Sequence, residues 1–476
     1  MEKLWDFESF TDSPALIGDT GVALTYRDLC ALADETEAAI GATGERPLVM
    51  FICRNTLGAL SGYVTLINRG YPVLPVSADI PEEMRKNLMN VYRPGLLLLP
   101  KELRSAFPAM REIFAFRDCT LLRTNFQKRF PVHPELGLLI TTSGSTGSAK
   151  FVRQSRENLR FNAQAIAGCL QLTPEDRTIT CLPLQYTYGL SMLHANLLRG
   201  ASVVVTESSV MDPEFWDLFE AEAVTEFHGV PNTYEMLQRI GLFEDDFPSL
   251  RTLTQAGGKL SRDLQKYYAE YAESTGKRFI IMYGQSEATA AITWLPPEDA
   301  LRKPGSVGRV VPGGKISLVD TEGHPIPEER GPGELCYEGP NVTMGYAQRG
   351  EDLALDDERR GFLRTGDIAE IDAEGYVTIT GRLKRFIKLA GHRISLDEVD
   401  SMIMDDLNIP SVSVGTDDHL TVFVTDEKYK DFVADFIRGK IITAHAGFRI
   451  LTVPEFPKND AGKILYAQLE AEAEKQ

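Results

Sequence analysis

The chain has 476 residues, 43% of them hydrophobic and 25% charged, and a formal net charge of −18. That length exceeds what one hydrophobic core usually supports, so two or more core units are expected. The acidic balance excludes a general affinity for nucleic acid or anionic membrane, although backbone N–H groups can still bind phosphate inside an acidic protein.

The start, Met1-Glu-Lys-Leu-Trp-Asp-Phe-Glu8, lacks the apolar core of a signal peptide. No apolar run approaches the roughly 20 residues that span a bilayer, so no membrane insertion is expected. Short apolar runs then alternate with helical patterns. Strands are predicted at Leu48–Ile52, Leu96–Leu99, Gly137–Thr141, Thr178–Leu182, Ser202–Thr206, Thr225–His228, Leu250–Thr254 and Arg278–Met282. Ser155 is placed to cap a helix whose apolar face is Leu159, Ala163, Ile166, Ala167 and Leu170. Alternation of this kind predicts a layered α/β architecture.

From Gly305 to Gly381 the texture becomes β-rich and turn-rich, with pieces at Lys315–Val319, Glu334–Tyr337, Gly361–Leu363 and Gly375–Ile379. An antiparallel, β-barrel-like subdomain is expected there. The remaining residues mix helix and strand, with helices near Asp397–Met404 and Tyr429–Arg438. The expected division is therefore a large N-terminal domain, residues 1–383, and a small α+β domain, residues 384–476. Six scattered cysteines (Cys30, Cys53, Cys119, Cys169, Cys181 and Cys336) form no C-x-x-C pair and read as buried thiols of a reducing, cytoplasmic compartment.

The sharpest local feature is Thr141-Thr-Ser-Gly-Ser-Thr-Gly-Ser-Ala-Lys150, directly after an apolar run. A strand emptying into Thr142, Ser143, Gly144, Ser145, Thr146 and Gly147 exposes successive N–H and hydroxyl donors, with the cation of Lys150 beyond. A polyphosphate needs that chemistry. A flexible surface turn has the same composition. No Walker G-x-x-x-x-G-K-[ST] sequence occurs anywhere.

In its arrangement, the loop resembles the phosphate loop of the adenylate-forming superfamily: acyl-CoA synthetases, nonribosomal peptide synthetase adenylation domains and beetle luciferase. Four further segments are similar to that superfamily, in the same order. They are Tyr283-Gly-Gln-Ser-Glu287, Arg364-Thr-Gly-Asp367, Gly381-Arg-Leu-Lys384 continuing to Gly391-His-Arg-Ile394, and Pro457-Lys-Asn-Asp-Ala-Gly-Lys463. The resemblance implies ATP-dependent activation of a carboxylic acid as its acyl-adenylate, with pyrophosphate release and then acyl transfer to a thiol, that of CoA, with a separate carrier protein as the alternative. It implies that Lys463 meets the α-phosphate and the incoming carboxylate, that Glu287 holds Mg²⁺, and that Ser286 donates to the α-phosphate. Asp367 suits the ribose hydroxyls, with Arg382 as a second ribose or phosphate contact. Tyr283 and Gly284, with Gly257 and Gly258, are expected beside the adenine. Lys384 matches the hinge position, with Lys388 and Gly391 expected at the thiol-transfer step. An amine acceptor and a non-catalytic nucleotide- or acyl-binding protein are the alternative readings.

Residues 182–202 are similar to the superfamily segment lining the acyl pocket. Amino-acid-activating members usually place an Asp where Thr187 falls. A neutral hydroxyl leaves a buried ammonium unpaired, which disfavours an α-amino acid. Many acyl-CoA-forming members carry a His where Tyr186 falls, and here the match departs. Tyr186, Thr187, Tyr188, His228, Gly229 and Val230 line the acyl pocket on this reading, and the aromatic ones among them fit an ordinary core equally well.

Overall fold

The computed structural model describes residues 3–41, 45–141, 150–244, 247–327, 331–383, 385–389, 392–417, 419–440, 447–459 and 462–475. Two compact units emerge: Met1–Lys315 with Glu338–Leu363, and Ile316–Tyr337 with Arg364–Gln476. The second unit thus takes in two pieces of the β-rich stretch, Ile316–Tyr337 and the residues from Arg364 on, together with the C-terminal residues.

The first unit is built on two sheets. One has nine strands, in the order Arg309–Val310, Ala291–Leu295, Arg278–Gly284, Thr252–Gln255, Glu226–Gly229, Arg177–Ile179, Ser202–Val205, Pro14–Gly18 and Ala23–Thr25. The other has eight: Gly345–Ala347, Phe151–Ser155, Leu136–Thr141, Val73–Ser77, Val49–Cys53, Leu96–Pro100, Cys119–Arg123 and Arg111–Phe116. Central strands run parallel and edge strands antiparallel. The centre of each sheet is buried on both faces, so Val49–Cys53 reads as an unbroken apolar run.

Helices fill the space between the sheets. Leu57–Asn68 is buried at every position from Gly58 to Asn68, as a helix apolar on all sides requires. It is tied to the helix Thr187–Leu198 by Tyr63, whose hydroxyl oxygen lies 2.7 Å from His194 Nε2. Burial pulls the His194 pKa down to about 3, so the imidazole stays neutral at physiological pH. The helix Arg156–Leu170 begins at the expected cap. Ser155 Oγ accepts from Asn158 N and Asn158 Oδ1 accepts from Ser155 N, a reciprocal capping box.

Two predicted strands differ from the structure for local reasons. Thr178–Leu182 ends at Ile179, because Thr180 Oγ1 donates to Thr206 O and accepts from Thr206 N, replacing ladder bonds with side-chain ones. Gly361–Leu363 is the start of a ten-residue strand, Phe362–Ile371, which carries Gly366 at φ +73°. That φ suits glycine.

In the second unit, Pro325–Ile326, Lys315–Val319, Gly333–Glu338, Phe362–Ile371 and Val377–Arg382 form one five-stranded sheet. It is open where a barrel-like closure was expected; among the described residues no barrel closes. The residue pair Pro325–Ile326 leaves too short an edge strand to bond across to the other edge. A hairpin (Phe386–Leu389 with His392–Ser395) and a three-stranded sheet (Ser411–Thr416, His419–Val424, Gly447–Thr452) follow. Helices Leu396–Leu407 and Lys430–Lys440 pack their apolar faces there, around Val399, Ile403, Val422, Val433 and Ile437. Among the described residues no helix is long and apolar enough to cross a membrane.

Candidate active site

In the first unit, polar side chains converge past the end of strand Arg278–Gly284. Gly284 is needed for the turn: a Cβ there would lie 1.5 Å from the carbonyl oxygen of Ala290. The chain then turns through Ser286–Ala288 and passes Thr289 at φ +61°, a conformation that costs free energy for a β-branched residue. Surrounding bonds hold it there. Thr289 Oγ1 donates to Asn341 O at 2.7 Å, and Asn341 Nδ2 donates to Ala288 O and Ala291 O at 2.9 and 2.8 Å. Gln154 Nε2 donates to the carbonyls of Ser286 and Thr289.

This frame presents Ser286 and Glu287. Ser286 Oγ lies 3.0 Å from Thr187 Oγ1 at the start of the helix Thr187–Leu198. Tyr346 donates its hydroxyl to Glu287 Oε1 at 2.6 Å, and the other carboxylate oxygen takes no hydrogen bond from the described residues. Burial, reinforced by the Glu287 charge, pushes the Tyr346 pKa up to about 12, so this donor keeps its proton at neutral pH. Lys150 Nζ sits over the same ring, 3.6 Å from its centroid. An exposed-edged carboxylate with one open oxygen suits a hard divalent cation such as Mg²⁺, which keeps several waters and takes few protein ligands.

Beside this cluster, the hydroxyl of Tyr186 fills the space at Gly257: a Cβ there would lie 2.4 Å from it, at a φ of +86° that already favours glycine. Burial raises the Tyr186 pKa to about 12. Tyr188 and His228 are turned into the core. Tyr188 Oη lies 2.6 Å from Thr254 Oγ1, His228 Nδ1 2.7 Å from that same oxygen, and His228 Nε2 2.8 Å from Thr178 Oγ1. Both ring nitrogens of His228 and the hydroxyl of Tyr188 are therefore occupied by protein hydroxyls. A small cavity of about 20 Å³, bordered by Thr178, Cys181, Met192 and His228, has room for one water.

In the second unit, Asp367 and Arg382 stand opposite each other across adjacent strands, with Arg382 Nε 3.0 Å from Asp367 Oδ1. Asp367 is almost wholly buried, whereas Arg382 is largely exposed. Lys463 lies at the end of a tight loop. Lys458 and Ile464 pair across it, Gly462 turns at φ +73°, and Asn459 bonds both the N–H and the carbonyl of Lys463 at 2.9 Å. Lys463 is thus fixed at its backbone.

A family model described as "AMP-binding enzyme" matches residues 5–347. The chain belongs to the AMP-binding enzyme family. Among curated proteins, the oxalate–CoA ligase of Arabidopsis thaliana is 29% identical over 355 residues, covering 70% of this chain and 66% of that protein. The indoleacetate–CoA ligase of Aromatoleum aromaticum is 27% identical over 417 residues, covering 82% and 80%. Among solved structures, o-succinylbenzoate coenzyme A synthetase from Bacillus subtilis, in complex with ATP and magnesium ion, superposes with a TM-score of 0.75 at 21% identity, covering 98% of each chain. The whole fold of this AMP-binding enzyme, the large α/β part and the small C-terminal part, is that of adenylate-forming enzymes.

Of the residues singled out from the sequence of this AMP-binding enzyme, Lys150, Thr187, Ser286 and Glu287 are linked to one another in the first unit directly or through Tyr346. Tyr283 and Gly284 end the strand beneath them, and Tyr186, Val230 and Gly257 pack together beside them. Gly229 ends a neighbouring strand and Gly258 follows Gly257, packed on Pro231. Asp367 and Arg382 pair in the second unit. The backbone of Lys388 belongs to the hairpin strand Phe386–Leu389. Thr142, Ser143, Gly144, Ser145, Thr146, Gly147, Lys384 and Gly391 lie outside the described residues. No motif singles out Tyr346, Arg359, Thr343 or Gln154. The antiparallel pairing of Phe151–Ser155 with Gly345–Ala347 brings Tyr346 beside Lys150 across nearly two hundred residues of chain, a relationship no local pattern carries.

Proposed function

We propose that this AMP-binding enzyme activates a carboxylic acid, not an α-amino acid, as its acyl-adenylate and passes the acyl group to the thiol of CoA. A carboxylate is a poor electrophile and needs a leaving group. Its oxygen attacks the α-phosphorus of ATP as the bond to pyrophosphate breaks, and the acid then carries AMP. The thiol sulfur next attacks the acyl carbon, the bond to AMP breaks, and the thiol proton passes to solvent. The first barrier is chiefly electrostatic, because two anions meet and charge grows on phosphate oxygens.

Each residue answers part of that problem. Lys150 and the Thr142–Gly147 donors bind the outer phosphates. Ser286 donates to the α-phosphate, and Lys463 screens it against the incoming carboxylate. Asp367 accepts from both ribose hydroxyls, oriented by Arg382. Glu287 would hold Mg²⁺, which when bound neutralises phosphate charge. Thr187 leaves the acid site without a carboxylate for a substrate ammonium. Lys384 is the proposed hinge at which residues 384–476 turn between the two half-reactions, bringing the Lys388–Gly391 segment to the thiol step.

The observation that carries this reading is the Glu287 carboxylate, one oxygen held by the neutral Tyr346 hydroxyl and the other open, beside the paired hydroxyls of Thr187 and Ser286. The CoA-ligase names of both relatives support the acceptor. The test is pyrophosphate release across a panel of carboxylic acids, repeated with CoA, an acyl-carrier protein and amines. The reading expects acid-dependent release and a CoA thioester. Acid-dependent release with product only on a carrier or an amine would replace the acceptor; no release with any acid would remove the activity.

A further inference from the structure

Tyr346 touches two opposite charges that do not touch each other. Its hydroxyl donates to Glu287 Oε1 at 2.6 Å, and Lys150 Nζ lies 3.6 Å from its ring centroid. Among the described residues neither Lys150 nor Glu287 forms an ion pair. Arg359 also stands over the ring, at 4.6 Å, and donates to the Glu287 carbonyl at 3.3 Å and to the Thr343 hydroxyl.

The strand that carries the ring is tied down along its backbone. Arg153, with no exposed side-chain surface, donates from Nε to Tyr346 O and from Nη2 to Met344 O, both at 3.0 Å. Tyr92 donates to Ala347 O at 3.0 Å. Gly345, at φ +126°, allows the strand to pass Glu358, whose Oε2 would lie 2.1 Å from a Cβ.

A lysine and a glutamate this near one another gain by pairing, and a paired lysine has less charge to offer a phosphate. The face of an aromatic ring attracts an ammonium without neutralising it. A phenol hydroxyl satisfies one carboxylate oxygen without cancelling its charge. We propose that Tyr346 is a positioning residue that keeps the Lys150 ammonium and the Glu287 carboxylate apart, leaving one free for the triphosphate and the other for its divalent cation. This rests on the roles given to those two residues under the proposed function.

The test is calorimetric binding of ATP to the full chain, first in EDTA and then across a Mg²⁺ series, with melting curves to verify folding. Tyr346→Phe keeps the ring and loses the hydroxyl. Its affinity for ATP in EDTA is expected within about twofold of wild type, whereas the Mg²⁺ needed for tight binding rises about tenfold, the scale of one hydrogen bond to a charged group. Tyr346→Ala is expected to weaken ATP binding in EDTA about tenfold as Lys150 pairs with Glu287, and adding Glu287→Gln restores most of the loss. Wild-type binding by Tyr346→Ala, or a loss that Glu287→Gln leaves uncorrected, would overturn the proposal. Unchanged ATP binding by Lys150→Ala would instead overturn the phosphate-binding role beneath it.

Discussion

The hydroxyl oxygens of Thr187 and Ser286 lie 3.0 Å apart, joining the first turn of a buried helix to the turn that presents Glu287. Under the proposed function, a negative charge introduced at this position would stand close to both the substrate carboxylate and the α-phosphate. At about 5 Å and an effective dielectric near 20, like charges repel by about 3 kcal/mol. Thr187→Asp is therefore expected to lower kcat/KM for acid activation about a hundredfold, whereas Thr187→Ser stays within about threefold. Pyrophosphate release measures both. Equal activity of the two variants would show that residue 187 does not face the reacting groups.

Asp367 Oδ1 lies 3.0 Å from Arg382 Nε, and under the proposed function the carboxylate accepts from the ribose hydroxyls. Removing the charge while keeping the shape, as in Asp367→Asn, is expected to raise KM for ATP about tenfold, the scale of lost charge-assisted hydrogen bonds. Wild type should prefer ATP to 2′-deoxy-ATP, and the variant should lose most of that preference. An undiminished preference would remove Asp367 from the ribose. Because Arg382 is mostly exposed, its ion pair adds little to stability.

Asp400 makes the small C-terminal part pH-sensitive. It lies 3.1 Å from Arg385, which also pairs with Asp397 at 2.6 Å and lies over the Tyr466 ring. Burial outweighs the pull of Arg385 and raises the Asp400 pKa to about 7. In the unfolded chain this group titrates near 3.9, so the folded protein holds the extra proton between those values. The stability it supplies is complete below about pH 4 and is lost as pH rises through about 7, at most about 4 kcal/mol in all. All three tryptophans (Trp5, Trp216 and Trp294) lie in the first unit, so amide exchange in the helix Leu396–Leu407 is the suitable reporter. Protection there, corrected for intrinsic exchange, should fall between pH 5 and pH 8 in wild type and change less in Asp400→Asn. Protection independent of pH in wild type would contradict the shift.

Local physics made much of this fold legible in the sequence. Buried parallel strands such as Val49–Cys53 and Leu96–Pro100 announce themselves as short apolar runs, and Ser155 announces a helix start. Helices Leu396–Leu407 and Lys430–Lys440 follow from amphipathic spacing. Closure of the β-rich region was not legible, because whether edge strands meet depends on strand lengths set by turns such as the one before Pro325–Ile326. At the site, motif residues Ser286, Glu287 and Lys150 stood out through composition and resemblance. Tyr346 and Arg359 did not, since their roles arise from pairing between distant strands. His228 and Tyr188 looked equally suited to pocket and core, and the Thr178 and Thr254 hydroxyls that occupy them come from neighbouring strands of the parallel sheet.

In the proposed function Lys463 acts in acid activation and not in thiol transfer. Rapid-quench assays of the two half-reactions, one started from acid and ATP and the other from synthetic acyl-adenylate and CoA, separate these steps. Lys463→Ala is predicted to lose about 10²–10³-fold in adenylate formation, as for loss of one transition-state donor, while thioester formation from supplied adenylate stays within a few-fold of wild type. Equal losses in both half-reactions, or none in the first, would contradict it.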